Sequence, residues 1–385
     1  MNVDSGTAFK TIVAIGAGMF LGVLSANSLP LLIGALLDGL AINNAQAGAL
    51  GTLELLAVAG ATFALASKAG KISCARLALV GTLIAIVGQL ISTLTDSFYL
   101  LLLARVVVGG GLGCAYAAAA MAAASTRNPD RAVGYGNTTA LVAVALYLPV
   151  LAIIIAEFGY RGAYIGLGVL CFILIPLLRW LRYDGESDSS AETKSGLAVL
   201  PLASLLAAIT FFNIAAGAVW GFAERMGVQA GLTVDQIGLI IATGTISGII
   251  GSTLGGWLGD RWGRALPVII SLVIAGLAYF VLAGAADAIT YIVGINLYWV
   301  TYMFLFPLFI GTGAALDHDK SGRAATLAAG TISLTIAIGP LFGGLISTWF
   351  SYSAIGWFSL ALCLLSAGAF WQIDFVTNNQ PATSR

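Results

Sequence analysis

Twelve predominantly apolar segments divide the chain of 385 residues, and this pattern restricts its fold more than any other feature. At a rise of about 1.5 Å per residue, a helix of roughly 20 residues crosses a hydrocarbon core of about 30 Å. The segments are continuously apolar rather than alternating, so the pattern favours helices over barrel strands. The predicted segments are 10–36, 46–66, 75–95, 97–124, 131–156, 162–181, 198–223, 236–258, 265–285, 288–315, 324–349 and 353–375.

Composition identifies the surroundings of these helices. Hydrophobic residues make up 59% of the chain and charged residues 9%, with a mean hydropathy of +0.98. A soluble domain carries roughly a quarter of its residues charged, so most of this surface must face a lipid bilayer. A net charge of zero gives no electrostatic reason to expect a nucleic-acid partner. The four cysteines are scattered without disulfide or zinc-site spacing, and the sequence predicts no metal and no cofactor.

The distribution of basic residues predicts the orientation of the chain. Cytoplasmic loops are rich in Lys and Arg, so both termini are expected in the cytoplasm, in a plasma (bacterial inner) membrane. With that orientation the termini and the even-numbered connections carry fourteen of the seventeen basic residues, and the odd-numbered connections carry Arg161 and Arg225. The fourteen are Lys10, Lys68, Lys71, Arg76, Arg127, Arg131, Arg179, Arg182, Lys194, Arg261, Arg264, Lys320, Arg323 and Arg385.

The two halves of the sequence are related to each other. A polar stretch at 178–196 separates six segments from six, which predicts a bundle at 1–181, a cytoplasmic linker at 182–197, a second bundle at 198–376 and a tail at 377–385. "NNAQAGALGT" and "TVDQIGLIIA" open segments two and eight and place Gln46 over Gln236. Asp96 lies nine positions before Arg105, and Asp287 lies nine positions before Asn296. These offsets of about 190 indicate a duplicated six-helix unit, with function expected between the halves.

The stretch "GGWLGDRWGR" resembles the loop signature of the major facilitator superfamily, between segments eight and nine. The corresponding first-half turn, "FALASKAGKIS", departs from it because Ser67 stands where an acid is expected. The resemblance implies twelve transmembrane helices in two pseudo-symmetric six-helix bundles, an all-α membrane fold, and a monomer. It also implies a cytoplasmic gate formed by Asp260, Arg261, Gly263 and Arg264. The alternative is a topology anchor of solvated cations, which explains the arginines but neither Asp260 nor the glycines.

Two further stretches resemble signatures of that superfamily. "LLLLARVVVGGGLG" is similar to its fourth-helix signature, in which Arg105 precedes a glycine-rich run. "AIGPLFGG" is similar to a glycine-proline signature associated with antiporters, but it falls on segment eleven rather than five. Gly339 and Pro340 are therefore gating candidates, while packing and bending of the helix is the favoured alternative.

Two ionisable residues are predicted inside the bilayer. Glu54 and Arg105 each lie eight residues into a segment from the same side, and Asn27 is expected at a similar level. A lone charge at that depth is costly, on the order of 3 kcal/mol or more, so the two should face the bundle interior or each other. Either they form a permanent structural pair, or the pair opens when Glu54 takes a proton or substrate binds Arg105.

The second half offers a polar and aromatic wall instead. Asn213, Gly217, Trp220 and Glu224 follow helical spacing along segment seven. On segment ten Asn296 and Trp299 share a face beside Tyr302, and Tyr116 aligns with Arg105 on segment four. Trp220 and Tyr291 have the alternative interpretation of interfacial anchors. The substrate-binding candidates are Asn27, Arg105, Tyr116, Asn213, Trp220, Asn296, Trp299 and Tyr302.

These features predict a secondary active transporter for a small organic solute, either an organic anion or an aromatic or amphipathic compound. Coupling to protons through Glu54 is a hypothesis that treats this residue as the one carboxylate buried in a span. A drug or metabolite efflux antiporter and a membrane sensor that binds a ligand without moving it are the alternatives. An enzyme is not expected, because the one histidine, His318, lies in a loop between Asp317 and Asp319 and no nucleophile-base constellation accompanies it.

Overall fold

The chain folds into helices that are long and apolar enough to cross a membrane. The computed structural model describes residues 5–66, 68, 71–126, 128–182, 199–258, 265–316 and 323–378, and those ranges contain helices but no strand. Large apolar side chains cover the outside of these helices, as Leu94, Leu146 and Ile289 illustrate. In a bilayer such side chains are solvated by lipid, so this is an integral membrane protein.

The chain divides into two compact units, Met1–Ser189 and Ser190–Arg385. In the first unit the helices are α1 (Ser5–Gly39), α2 (Asn44–Ala66), α3 (Cys74–Leu94), α4 (Phe98–Ala124) and α5 (Pro129–Leu178). Helix α1 packs against α5, and α2 packs against α4. Each helix satisfies its backbone groups internally, which a bilayer requires.

Helix α5 contains two of the predicted segments. Its 50 residues are more than one crossing needs, and the backbone breaks at Gly159, where φ is 62° and ψ is −159°. An L-residue with a side chain rarely adopts such a conformation, so glycine at this position permits a one-residue reversal. A Cβ on Gly166 would lie 3.2 Å from Ile154 Cδ1, so residues 129–158 and 160–178 form two arms that fold back on each other, and the described part of the first unit contains six spans.

In the second unit the helices are α6 (Val199–Gly221), α7 (Ala223–Gln229), α8 (Val234–Leu258), α9 (Ala265–Ala283), α10 (Ala288–Ala315), α11 (Arg323–Trp349) and α12 (Tyr352–Asn378). Helix α6 packs against α11, and α8 packs against α10. Apart from the short α7, each is long enough to span a membrane, which gives this unit six spans as well.

The repeat is visible in how two corresponding helices begin. At the start of α2, the backbone amide of Asn43 donates to Gln46 Oε1 at 3.0 Å. At the start of α8, the backbone amide of Thr233 donates to Gln236 Oε1, also at 3.0 Å. A glutamine three residues inside a helix that reaches back to the cap residue satisfies an otherwise unpaired amide. The aligned glutamines therefore have the same structural role in both units.

Candidate functional site

Glu54 on α2 and Arg105 on α4 form an ion pair in the interior of the first unit. Arg105 Nη1 lies 3.6 Å from Glu54 Oε1, and solvent reaches only 2% and 4% of the two side chains. The helices can approach this closely because α4 has glycine at the crossing: a Cβ on Gly109 would lie 2.2 Å from the carbonyl oxygen of Glu54. The expectation that the two charges face each other inside the bundle is confirmed.

Neutral groups surround the guanidinium of Arg105 on its other sides. Its Nη2 donates to Gln89 Oε1 at 3.0 Å and to the hydroxyl of Ser92, both on α3. The ring of Tyr164, in the second arm of α5, lies under the guanidinium with its centroid 4.2 Å from Cζ. A guanidinium over a ring face is stabilised by the ring quadrupole.

The carboxylate of Glu54 has a neutral partner on α1. Ser25 Oγ donates to Glu54 Oε1 at 2.6 Å, and Ser25 is buried. Five helices thus meet at this point, and we name the group Ser25, Glu54, Gln89, Ser92, Arg105 and Tyr164 the ion-pair cluster. Among the described residues, no hydrogen-bond partner is present for Arg105 Nε, Arg105 Nη1 or the Tyr164 hydroxyl.

Sequence reasoning found the two charges of this cluster but not its neutral members. Gln89 and Ser92 are spaced at i and i+3 within a mainly apolar segment, and that spacing was a usable signal. Ser25 and Tyr164 carried no comparable signal, because serine and tyrosine are ordinary residues in membrane helices.

The other two candidates of the first unit, Asn27 and Tyr116, have their described contacts outside the ion-pair cluster. Asn27 Nδ2 donates to the carbonyl oxygen of Val23, one turn earlier on α1. The ring of Tyr116 packs on α1 at Gly22, where a Cβ would lie 2.1 Å from Tyr116 Cδ2. Tyr116 therefore faces α1, whereas Arg105 on the same helix meets α2 and α3.

Aromatic rings occupy the interior of the second unit. Trp220 on α6 stacks on Tyr298 of α10 at 5.4 Å and meets Trp299 edge-on at 5.2 Å. Tyr302 stacks on Tyr298 at 6.0 Å and on Phe212 at 5.8 Å. We name Phe212, Trp220, Tyr298, Trp299 and Tyr302 the aromatic cluster.

Two amides were predicted for this wall, and they have different surroundings. Asn213 joins the aromatic cluster, because the Tyr302 hydroxyl donates to its Oδ1 at 3.4 Å. Asn296 instead accepts a hydrogen bond at 2.5 Å from Ser247 on α8. The structure therefore brings Asn213, Trp220, Trp299 and Tyr302 together, with Asn296 at the α8–α10 contact.

Two interpretations of the second half are wrong. The helix that carries Asn213 ends at Gly221, so Glu224 lies on the separate α7 rather than on one continuous face. Glu224 is 1% exposed and pairs with Arg225 at 2.6 Å, but α7 is too short to span a membrane, so Glu54 is still the buried carboxylate among the described side chains of the spans. Trp220 and Tyr291 are not interfacial anchors facing lipid, because both are buried within the unit.

Gly339 and Pro340 lie at the crossing of α6 and α11. A Cβ on Gly339 would lie 2.5 Å from the backbone of Gly217, and a Cβ on Gly221 would lie 3.1 Å from Pro340 Cβ. This close approach of two backbones supports the packing interpretation of "AIGPLFGG". The other gating candidates, Asp260, Arg261, Gly263 and Arg264, lie outside the described residues, as does His318.

Comparisons with known proteins agree with this architecture. A bacterial homolog of the human lysosomal transporter Spinster, in an inward-facing and unoccupied conformation, is similar in structure with a TM-score of 0.75 at 17% identity, over 98% of this chain and 95% of that one. The nucleoside transporter NupG is similar with a TM-score of 0.72 at 14% identity, over 97% of this chain and 99% of that one. The human organic anion transporter MFSD10 (TETRAN) gives 0.66 at 14% identity, over 94% and 99%.

A sequence model of one family matches almost the whole chain. The model described as Major Facilitator Superfamily matches residues 14–316 and, in a second overlapping alignment, 202–384. The family and the similar structures together support secondary transport of a small molecule across a membrane. This chain belongs to the Major Facilitator Superfamily.

Proposed function

We propose that this protein is a proton-coupled secondary transporter that moves a small, partly apolar organic solute by alternating access. The buried pair of Glu54 and Arg105 carries the proposal, because it puts a titratable carboxylate beside a permanent cation inside a membrane helix bundle. We further propose a plasma membrane location with both termini in the cytoplasm, in line with the distribution of basic residues.

The burial of Arg105 bears on its role. Solvent reaches 2% of its side chain, and its neighbours are the other members of the ion-pair cluster. This enclosure favours Arg105 as the partner of the coupling carboxylate over Arg105 as a ligand of the solute. The proposal therefore assigns proton coupling to the first unit.

The aromatic cluster supports an aromatic or amphipathic solute. Trp220, Trp299 and Tyr302 supply ring surface, and Tyr302 is the more exposed of the three. The buried Asn213 amide accepts from the Tyr302 hydroxyl and donates to the carbonyl oxygen of Ile209, so it positions Tyr302 rather than offering a free polar group. Binding sites for small molecules are typically apolar with few, well-placed polar groups. A sugar would require many more hydrogen-bonding groups than this wall provides.

Proton coupling is tested with Glu54→Gln in proteoliposomes. Wild-type protein should accumulate solute under an imposed pH gradient, whereas Glu54→Gln should lose accumulation and keep counterflow exchange, because exchange requires no net proton movement. Glu224→Gln is the matched control, since it neutralises the other buried carboxylate, and it should retain gradient-driven accumulation. Wild-type pH dependence in Glu54→Gln would refute the coupling role.

Solute class is tested by a thermal-shift screen of aromatic carboxylates, nucleosides and lipophilic cations, followed by counterflow with each hit. Trp220→Ala should weaken binding of an aromatic hit about fivefold, as expected when a ring contact worth about 1 kcal/mol is lost. Trp371→Ala on the exposed face of α12 is the control and should not change it. Failure of every aromatic compound to bind would contradict the assignment, and loss of anion binding in Arg105→Ala would restore the organic-anion alternative.

A further inference from the structure

The guanidinium of Arg105 has hydrogen-bond acceptors that do not depend on Glu54. Gln89 and Ser92 on α3 both accept from Nη2, and both are fully buried. These acceptors are neutral, so they bind the guanidinium whether Glu54 is charged or not. Hydrogen bonds to an ionised group are stronger than those between neutral groups.

The carboxylate has the complementary arrangement. Ser25 Oγ donates to Glu54 Oε1 at 2.6 Å from within α1. That bond is stronger when Glu54 is ionised than when it is protonated. The pair thus has neutral acceptors behind its cation and a neutral donor behind its anion.

These two sets of groups act oppositely on proton uptake. When Glu54 is protonated, the guanidinium stays charged in a medium of low dielectric constant without a counterion, which is costly. The oxygen atoms of Gln89 and Ser92 carry partial negative charge beside the guanidinium, which reduces the positive potential of Arg105 at Glu54 and therefore makes protonation easier. Ser25 stabilises the ionised carboxylate and makes protonation harder.

We propose that Gln89 and Ser92 on one side, and Ser25 on the other, are positioning residues that set the pH at which Glu54 takes up its proton. This inference rests on the proposed function, in which Glu54 carries the coupled proton. It adds that the pH range of transport is tuned by groups that touch neither the solute nor the transferred proton.

The other titratable groups around Glu54 are Arg105 on α4 and, on the second arm of α5, Tyr164 and Cys171. The tyrosine ring faces the guanidinium, and its hydroxyl has no hydrogen-bond partner within the part of the chain that the structure describes. Phenol and thiol groups are neutral over the range in which a carboxylate takes up a proton. Tyr164→Phe therefore removes a hydroxyl without removing a bond, which makes it a matched control.

The test needs no solute, because protonation can be followed directly. Infrared difference spectra of the detergent-purified full chain, recorded as a pH titration, report the carbonyl stretch of a protonated carboxylic acid. The band that disappears in Glu54→Gln belongs to Glu54. Its midpoint is then compared in wild type, Ser92→Ala, Gln89→Leu, Ser25→Ala and Tyr164→Phe, with thermal stability in detergent as the check on folding.

The variants should shift the midpoint in opposite directions. Ser25→Ala should move it to higher pH by about 1 unit, as for the loss of a hydrogen bond to a charged group. Ser92→Ala and Gln89→Leu should move it to lower pH by a smaller amount, because these residues bond Arg105 and act on Glu54 through it. Ser25→Thr keeps the hydroxyl and should restore the wild-type midpoint, and Tyr164→Phe should leave it in place. A purely structural role would lower stability in all variants without moving the midpoints apart.

The inference is overturned if the Ser92→Ala and Ser25→Ala midpoints move in the same direction or not at all, or if no titrating band belongs to Glu54. Failure of the proposed function looks different, because Glu54→Gln would then keep wild-type, gradient-driven accumulation. If the midpoints shift in opposite directions and Glu54→Gln still accumulates solute, the neighbouring residues do set the protonation midpoint of Glu54, but Glu54 does not carry the coupled proton.

Discussion

The α2–α4 crossing of the first unit and the α8–α10 crossing of the second occupy equivalent places in the repeat. The two crossings differ in which helix carries the glycine that allows close contact. In the first, glycine is on the later helix: a Cβ on Gly109 would lie 2.2 Å from the Glu54 carbonyl oxygen. In the second, glycine is on the earlier helix: a Cβ on Gly244 would lie 2.5 Å from Trp299 Cδ1. At an offset of 190, Glu54 corresponds to Gly244 and Gly109 to Trp299.

One turn further along both crossings, glycine is again on α4 in the first unit and on α8 in the second. A Cβ on Gly113 would lie 2.4 Å from the Val58 carbonyl oxygen, and a Cβ on Gly248 would lie 3.0 Å from Met303 Cγ. Either assignment lets two helices approach closely, because one small residue per contact suffices. What differs is the side chain that fills the crossing, a charged pair in one unit and an indole in the other. A duplicated backbone can therefore hold different chemistry in its two copies.

The largest expected effect comes from removing one charge of the first crossing. Glu54→Leu leaves the Arg105 guanidinium buried without a counterion, and it should lower the free energy of unfolding by about 3–5 kcal/mol. At the second crossing, Trp299→Phe removes an N–H that has no partner and part of a ring, and it should cost only about 1–2 kcal/mol. Unfolding in detergent followed by circular dichroism compares the two.

The double variant Glu54→Leu/Arg105→Met is the control for this comparison. Replacing both charges by apolar groups removes the unpaired charge, so most of the stability should return. If Glu54→Leu alone is as stable as wild type, the carboxylate does not compensate the guanidinium and the contrast between the crossings is lost.

The glycines themselves should give an intermediate effect. Gly109→Ala forces a methyl group against backbone, which cannot rotate away, whereas Gly244→Ala meets the side chain of Trp299. Overpacking typically costs about 1–3 kcal/mol, and we expect Gly109→Ala near the upper end and Gly244→Ala near the lower. Thermal unfolding midpoints in detergent give the order.

Gly110→Ala provides the control on the same helix, because nothing lies within 4 Å of a Cβ there. It should be neutral or slightly stabilising, since alanine favours the helix. An equal loss in Gly109→Ala and Gly110→Ala would mean that helix propensity or lipid contact, and not the crossing, determines the effect.

Two aspartates that correspond in the repeat also differ in their partners. Asp96, before α4, accepts from the Tyr160 hydroxyl and from Arg161 Nη2 at 2.7 and 2.8 Å. These two interactions hold the pKa of Asp96 below its usual value, with the Tyr160 hydrogen bond the larger cause. Asp287 caps α10 instead, where the backbone amide and then the hydroxyl of Thr290 lower its pKa.

The smallest expected effect concerns these exposed aspartates. The Asp96 and Arg161 side chains are 64% and 53% exposed, so salt should screen much of their interaction. Asp96→Ala should therefore lower the thermal unfolding midpoint at low salt and hardly at high salt, whereas Asp287→Ala should lower it equally at both. Equal salt dependence of the two variants would show that the partners are not distinguished in this way.

The pH dependence follows from the same pKa direction. A carboxyl group whose pKa is lowered by folding stabilises the folded state above its unfolded value of about 3.9 and loses that contribution as the pH falls through the folded pKa. As the pH falls below about 4 and then through the lower folded pKa, the thermal unfolding midpoints of the Asp96→Ala variant and the wild type should therefore approach each other.

The spans and the charged pair could be predicted from the sequence, but the surroundings of the pair could not. Glu54 and Arg105 stand out because a charged side chain inside a membrane-spanning segment is costly however the helices pack. The roles of Gln89 and Ser92 depend on which face of α3 meets α4, and hydropathy alone does not specify that. The break at Phe222 that removes Glu224 from α6 was marked only by Gly221 and by the following pair Glu224 and Arg225, which did not distinguish the end of the helix from a continued polar face.

The sequence by itself determined twelve spans and a repeat, since lipid requires long apolar helices with internally satisfied backbones and a duplication leaves matching positions such as Gln46 and Gln236. Tertiary structure alone decided which neutral groups hold each charge and which helix carries the glycine at a crossing. These features arise from contacts between helices far apart in sequence, and such contacts are fixed by side-chain packing rather than by local hydrophobicity.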